Sequence, residues 1–179
     1  MSDDAGTLTL AGTTQPETDL EVKRSHFLGR AARTRTQEEA RAFIASVRAA
    51  HPAARHHCSA FIVTVPGGRP IERSNDDGEP SGTAGRPILE VLRGTRLVEA
   101  TVVVTRYFGG TLLGVPGLIH AYKTATQMAL QQTAQVEKNI EKRVTLRCDY
   151  LYLSEILRLA KQHGVEVLQQ DLQLDCRLH

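Results

Sequence analysis

Two glycine-rich runs decide how this chain folds: Asp76-Asp77-Gly78-Glu79-Pro80-Ser81-Gly82-Thr83-Ala84-Gly85-Arg86-Pro87 and Thr105-Arg106-Tyr107-Phe108-Gly109-Gly110-Thr111-Leu112-Leu113-Gly114. Each leads into residues spaced as a helix. Between them, Ala100-Thr101-Val102-Val103-Val104 is rich in β-branched residues, long enough for one buried strand and too short for an ordinary helix. The stretch from Asn75 to Tyr122 therefore reads loop, helix, strand, loop, helix. Loops of this kind set main-chain N–H groups at helix starts, where unpaired donors and the helix dipole can hold an anion.

The first loop opens on Asp76, Asp77 and Glu79. Carboxylates this close can hold a magnesium ion, act as acid and base, or accept hydrogen bonds from loop N–H groups and fix the turn. Asp beside Gly is ordinary turn chemistry and no nucleophile with a sequence-evident base accompanies it, which favours turn-fixing. Ser81 or Thr83 is expected to cap a helix starting near Pro87, with Ile88, Val91 and Leu92 on its apolar side and Gly94 at its end. In the second loop, Arg106, Tyr107 and Phe108 join a guanidinium to two aromatic rings. Such a group stacks on bases or on a partner's side chains, or plugs the core beneath a glycine turn. Phe108 is assigned to the core, and Tyr107 fits either role. Pro116 starts the longest helix, with Leu118, Ala121, Tyr122, Ala125, Met128 and Ala129 as its buried stripe.

Toward the N-terminus, residues 1–17 are polar, contain Gly6, Gly12 and Pro16, and are expected to form a flexible lead-in. Leu20-Glu21-Val22 and Phe27-Leu28-Gly29-Arg30-Ala31 predict two strands or one bent strand. Lys23, Arg24, His26, Arg30, Arg33 and Arg35 make this the most basic part of the chain, either a solvated strand face or a phosphate-contacting patch. Thr36 and Glu39 form a capping-box pattern before Ala40, Phe43, Ile44 and Val47, and His51-Pro52 stops that helix. His56-His57-Cys58 precedes the strand Ala60-Phe61-Ile62-Val63-Thr64-Val65, which turns at Pro66-Gly67-Gly68 and returns through Arg69 to Arg73. On a strand His57 points away from His56 and Cys58, so the three are read as strand residues and no metal site is assigned.

Toward the C-terminus the chain becomes charged from Val136 to Lys142. Val144-Thr145-Leu146-Arg147-Cys148 then predicts a strand, and Leu153, Ile156, Leu157 and Ala160 a helix closed by Gly164. Val165-Glu166-Val167 and Leu172-Gln173-Leu174-Asp175-Cys176 predict two more strands, giving β-α-β-β. A segment of about 40 residues is small for an independent fold, so it is expected to lean on the first domain or to lack a further helix and strand.

A chain of 179 residues, 41% hydrophobic and 23% charged, suits a globular fold of one domain or a domain with a small companion. The formal net charge of +2 is too small to predict nucleic-acid binding, so the distribution of charge decides that question. Cys58, Cys148 and Cys176 show no paired spacing for zinc or a redox dithiol, and read as reduced thiols. With no leader pattern and no apolar run near the roughly 18 residues of a membrane span, the expected location is the cytoplasm, without membrane contact.

The runs Asp76 to Pro87 and Thr105 to Gly110 together resemble the signature of the IMPACT family, also called the YigZ family or uncharacterised protein family 0029. The resemblance extends from about Glu21 to Ala129 and includes the strand start at His56-His57-Cys58. It implies an α+β fold in two parts. Residues 18–136 would be the IMPACT N-terminal domain, similar to the second domain of the fifth small-subunit ribosomal protein: a mostly four-stranded sheet with helices on one face. Residues 140–179 would be an incomplete ferredoxin-like domain, its closing helix and strand absent. Gly114-Val115-Pro116-Gly117 departs from the looser Gly-Ala-Gly-Gly usual in the family, and Pro116 removes one N–H donor there. Eukaryotic relatives resemble regulators of translation that compete for the activator of a kinase, a partner not carried over here.

The resemblance and the clustered cations lead to a non-enzymatic, translation-associated regulator that binds RNA, the ribosome or a translation factor. Candidate binding residues are Asp76, Asp77, Glu79, Ser81, Gly82, Thr83, Gly85 and Arg86 in the first loop, and Thr105, Arg106, Tyr107, Gly109 and Gly110 in the second. Lys23, Arg24 and Arg30 are candidate basic contacts. No catalytic residue and no cofactor are assigned. One alternative is an enzyme or sensor that binds a small phosphorylated or nucleotide-like ligand with magnesium at the acidic loop, although Gly82-Thr83-Ala84-Gly85-Arg86-Pro87 lacks the lysine and spacing of a P-loop. The other is a protein–protein adaptor. An unpaired edge of the C-terminal sheet would also admit a homodimer.

Overall fold

Ala100, Val102 and Val104 point one way along their strand and Thr101, Val103 and Thr105 the other, and all six are fully buried. Burial on both sides marks a central strand of a sheet covered on both faces. The computed structural model describes residues 7–12, 16–138, 144–172 and 176–178, and the chain divides into two units, residues 1–139 and 140–179. In the first unit the elements run β1 (Thr7–Leu10), β2 (Thr18–Val22), β3 (Ser25–Arg33), α1 (Gln37–Ala50), β4 (His56–Val63), β5 (Ile71–Asn75), α2 (Gly85–Gly94), β6 (Ala100–Tyr107), α3 (Gly114–Gln131) and β7 (Gln135–Lys138). Five of these strands make one antiparallel sheet in the order β2-β3-β6-β4-β5, with β6 in the middle.

The sheet has five strands where four were expected, and its helices lie on both faces rather than one. Cys58, Ala60 and Ile62 of β4 join Phe27, Val102 and Val104 in the main core, beneath Ile88 and Leu92 of α2 and Leu118, Ala121, Tyr122 and Ala125 of α3. Phe61 and Val63 alternate with those β4 residues and cluster with Ala40 and Ile44 of α1 and with Ile71. The cause is visible in β4: seven of its eight residues are buried, which a strand reaches only with helices on both sides.

The helix starts follow local chemistry. The Thr36 hydroxyl accepts the Glu39 N–H at 3.1 Å, while the Glu39 carboxylate reaches one residue further back, to the Arg35 N–H at 2.7 Å. Neither Ser81 nor Thr83 caps α2: its cap position is Ala84, without a side-chain bond, and the Thr83 hydroxyl donates to the Pro80 carbonyl at 2.6 Å. The second loop also begins later than its sequence suggests, since Thr105, Arg106 and Tyr107 belong to β6.

Residues 1–17 are not all a flexible lead-in. β1 pairs with β7 from Thr7↔Lys138 to Leu10↔Gln135, the Val98 N–H donates to the Leu8 carbonyl at 2.9 Å, and Leu10 is fully buried. Residues 1–6 and 13–15 of that lead-in lie outside the described residues. Across the base of the unit, Glu99 accepts from Arg33 at 3.0 Å, from the Thr64 hydroxyl at 2.8 Å and from Lys138 of β7. One carboxylate thus ties β3, the end of the β4 hairpin, the entry to β6 and β7 together.

The second unit contains β8 (Leu146–Cys148), a short 3-10 turn at Tyr150–Tyr152, α4 (Leu153–Gln162), β9 (Gln170–Leu172) and β10 (Cys176–Leu178). Its antiparallel sheet has the order β8-β10-β9. The β-α-β-β sequence holds, but Val165–Val167 is not a strand, and the last two strands lie at 170–172 and 176–178; residues 140–143 and 173–175 lie outside the described residues. No residue of α4 is buried, and Tyr150, Leu151, Tyr152 and Leu168 are exposed. Among the described residues no helix is long and apolar enough to cross a membrane.

Candidate functional site

The acidic loop is closed by its own carboxylates. Asp76 Oδ1 accepts the Ala84 and Gly85 N–H groups at 3.1 and 2.8 Å, and its Oδ2 accepts the Gly82 N–H at 2.9 Å. The donors at the start of α2 that could hold an external anion therefore hold Asp76, a favourable place for negative charge. Gly85 has no alternative there, because a Cβ would lie 2.6 Å from the Asn75 main-chain nitrogen. Asp77 binds outward: Oδ1 accepts from Arg48 of α1 at 2.9 Å, and Oδ2 from the His57 N–H of β4 at 2.6 Å. Burial alone would raise its pKa, but the Arg48 and His57 hydrogen bonds prevail and hold it below the usual carboxylate value.

Glu79 turns inward and joins the first loop to β6 and α3. Its Oε1 accepts from Arg106 Nη1 at 2.6 Å and from the Tyr122 hydroxyl at 2.8 Å, and Glu79 and Arg106 are only 8% and 6% exposed. The Arg106 guanidinium lies 5.4 Å from the centre of the Phe27 ring and 5.6 Å from that of Phe108, distances at which a cation is attracted to a ring face. Phe27 in turn meets Tyr122 edge to face at 5.2 Å. The Cys58 thiol sits 3.0 Å from the Asp76 carbonyl and 3.3 Å from the Tyr122 hydroxyl. Burial, above all, pushes the pKa of both the thiol and the phenol up, so neither is an ionised nucleophile at neutral pH. The network is a polar brace inside an apolar core.

The remaining candidates separate. Ser81, Arg86 and Gly110 are exposed, and Arg86 pairs with Glu90, one helical turn along, at 3.1 Å. Thr83 and Thr105 are buried, and Gly82 is held by Asp76. Tyr107 donates to or accepts from His51 Nδ1 at 3.0 Å. Phe108, expected in the core, is instead 43% exposed: β6 stays paired to its last residue, Tyr107↔His26, and Phe108 is the first residue beyond it. Lys23 and Arg24 form the two-residue turn between β2 and β3, both with positive φ, as that turn type requires. Gly109 rests directly on this turn; a Cβ would come 2.0 Å from the Arg24 carbonyl carbon, and its N–H donates to the Ser25 hydroxyl at 3.1 Å. Arg30 is not part of this group, since it lies beside Val103 on the α1 face of the sheet.

Tyr122 and Cys58 complete the brace, yet neither was a candidate. Tyr122 had a signal, as the lone hydroxyl-bearing ring in an apolar helix stripe. Arg106 had one too: it shares the parity of Ala100, Val102 and Val104, so it must point into the core.

Braced loops, a two-faced antiparallel sheet and outward cations define an α+β domain with its polar machinery turned inward and its basic turn turned outward. Residues 23–130 match the Impact N-terminal domain, and the chain belongs to the IMPACT family. It is 42% identical over 153 residues to the IMPACT family member YigZ of Escherichia coli (strain K12), covering 86% of this chain and 75% of that protein. It is 41% identical over 161 residues to an IMPACT family member of Haemophilus influenzae, covering 88% of this chain and 77% of the other. A solved structure described as the crystal structure of a hypothetical protein is similar with a TM-score of 0.75 at 38% identity, covering 97% of this chain and 83% of that one.

Proposed function

We propose that this protein is a non-enzymatic, translation-associated IMPACT-family regulator that contacts RNA, alone or within a ribosome or translation-factor complex, in the cytoplasm. The observation that carries this reading is the outer edge of the second loop, where the exposed Phe108 ring is backed by the Arg106 guanidinium at 5.6 Å and Gly109 packs on the exposed Lys23-Arg24 turn. A ring and two cations side by side suit a base and its flanking phosphates. The hydrogen bonds that Asp76, Asp77 and Glu79 already accept weigh against magnesium-dependent chemistry, because these carboxylates hold N–H and O–H groups of the protein itself. On this reading the first unit is the ribosomal-protein-like domain and the second a partial ferredoxin-like one, whose strand order β8-β10-β9 fits the first three strands of that fold.

The test is fluorescence anisotropy on a single-stranded oligoribonucleotide across a salt series. Lys23→Ala with Arg24→Ala is expected to lower the salt slope by about 2, or about 1 per lost phosphate contact. Phe108→Ala is expected to cost roughly 1–3 kcal/mol of binding with the slope unchanged. Binding that is absent at low salt, or indifferent to all three substitutions, would remove RNA and leave the protein-adaptor reading.

A further inference from the structure

On the opposite face of the sheet, α1 and the β4–β5 hairpin enclose a cleft of about 460 Å³. One wall is a single stripe of α1: Arg41, Ile44, Ala45 and Arg48 follow one another at spacings of three, one and three residues and so share a face. The floor and the other wall come from two cross-strand pairs, Ser59↔Asn75 and Phe61↔Arg73. Three guanidinium groups therefore surround the cleft, and no carboxylate residue lines it.

Several of these donors lack partners. Arg41 is exposed and makes no ion pair among the described residues, and Arg73 directs Nη1 only to the Glu72 carbonyl at 2.8 Å. Arg48 shares Nη2 with Asp77 and has its other donors left over. Ser59, only 3% exposed, lines the floor of the cleft.

We infer that this cleft binds the phosphate of a nucleotide, either free or as one unit of an RNA strand. Arginine is suited to phosphate oxygens because its planar fork donates two parallel hydrogen bonds. The Ser59 hydroxyl would supply a further donor at the floor. The volume lies within the range of small-ligand sites and exceeds what a bare phosphate fills, while Ile44, Ala45 and Phe61 offer an apolar surface for the attached body. This inference is independent of the RNA edge proposed at Phe108, because the two surfaces share no residue.

The experiment is isothermal titration of the full chain with 5′-AMP, with adenosine and with a short oligoribonucleotide. It is run on the wild type, on Arg41→Gln with Arg73→Gln, on Ser59→Ala, and on Lys23→Ala with Arg24→Ala. Arg41 and Arg73 are exposed, so their replacement leaves the core untouched. The expected result is that AMP or the oligonucleotide binds, adenosine does not, the double arginine variant loses about tenfold or more in affinity, and the Lys23 and Arg24 variant keeps its affinity for AMP. Binding of AMP would identify a free nucleotide, and binding of the oligonucleotide alone a strand. Adenosine binding as well as AMP, an unchanged affinity in the double arginine variant, or no binding of either phosphate ligand would overturn the inference. Oligonucleotide binding lost only with Lys23 and Arg24 would overturn it while leaving the Phe108 edge standing.

Discussion

One oxygen of Glu79 joins the first loop to β6 and α3, because Oε1 accepts from both Arg106 and Tyr122 in a site almost closed to water. A buried pair of this kind is costly to break from one side, since the survivor keeps its charge without a partner. Glu79→Ala or Arg106→Ala is therefore expected to destabilise the protein by roughly 3–5 kcal/mol, and joint replacement by apolar residues of similar volume by much less. Urea unfolding of the singles and the double would show this, and single losses below about 1 kcal/mol would mean the pair is hydrated and weak. The acidic loop was legible as a turn fixed by its carboxylates, because Asp next to glycine-rich sequence is ordinary turn chemistry. Of the three read that way, Asp76 accepts the loop N–H groups, while Asp77 reaches Arg48 and His57 and Glu79 reaches Arg106 and Tyr122. The partner of Glu79 was not legible, since an ion pair between distant residues leaves no periodic trace in either segment.

At the level of elements, α1 is pinned to the first loop through Arg48 and Asp77, and Asp77 in turn holds the start of β4 at His57. His57 Nε2 faces the His51 carbonyl at 3.0 Å, and burial, the largest influence, lowers its pKa below the ordinary 6.5. The imidazole is thus neutral in the fold and charges more readily when unfolded, so its contribution is complete above about pH 6.5 and is lost as pH falls through its lowered value. Asp77 and Glu99 act lower on the scale. For Glu99, burial would raise the pKa, but Lys138, Thr64 and Arg33 outweigh it and the net shift is downward. Both carboxylates stabilise the fold above their ordinary pKa values of about 4 and lose that effect as pH falls through their lowered ones. Denaturant unfolding is expected to show stability falling in two stages on acidification, first below pH about 6.5 and again below about 4. His57→Gln should remove the first stage; if it persists, another histidine carries it. The helices themselves were readable, from the Thr36 and Glu39 pattern and from the stripe beginning at Leu118. The face chosen by α1 was not, because apolar spacing reveals that a helix packs and not on which side of a sheet.

For the molecule as a whole, β8 and β9 are the edge strands of the second unit's sheet, unpaired on their outer sides among the described residues, and several apolar side chains are exposed, Leu151 at 84% among them. An open edge beside apolar surface is a template for another strand. The homodimer reading then predicts a concentration-dependent rise from one chain mass toward two in sedimentation, suppressed by Leu172→Lys on the β9 edge. A single chain mass at every concentration would discard it. The β-α-β-β order was legible from local pattern, whereas β1 was not. Four residues carry little signal, and the strand that gives them meaning, β7, lies at the far end of the unit. That pairing also sets the order in which the unit can be completed during synthesis. β1 is made first, but Thr7 and Leu10 meet Lys138 and Gln135 only after nearly the whole unit has been translated and has cleared the exit tunnel. Until then the segment that will be buried at Leu10 is an unpaired apolar strand on a nascent chain, and the domain closes with its last strand.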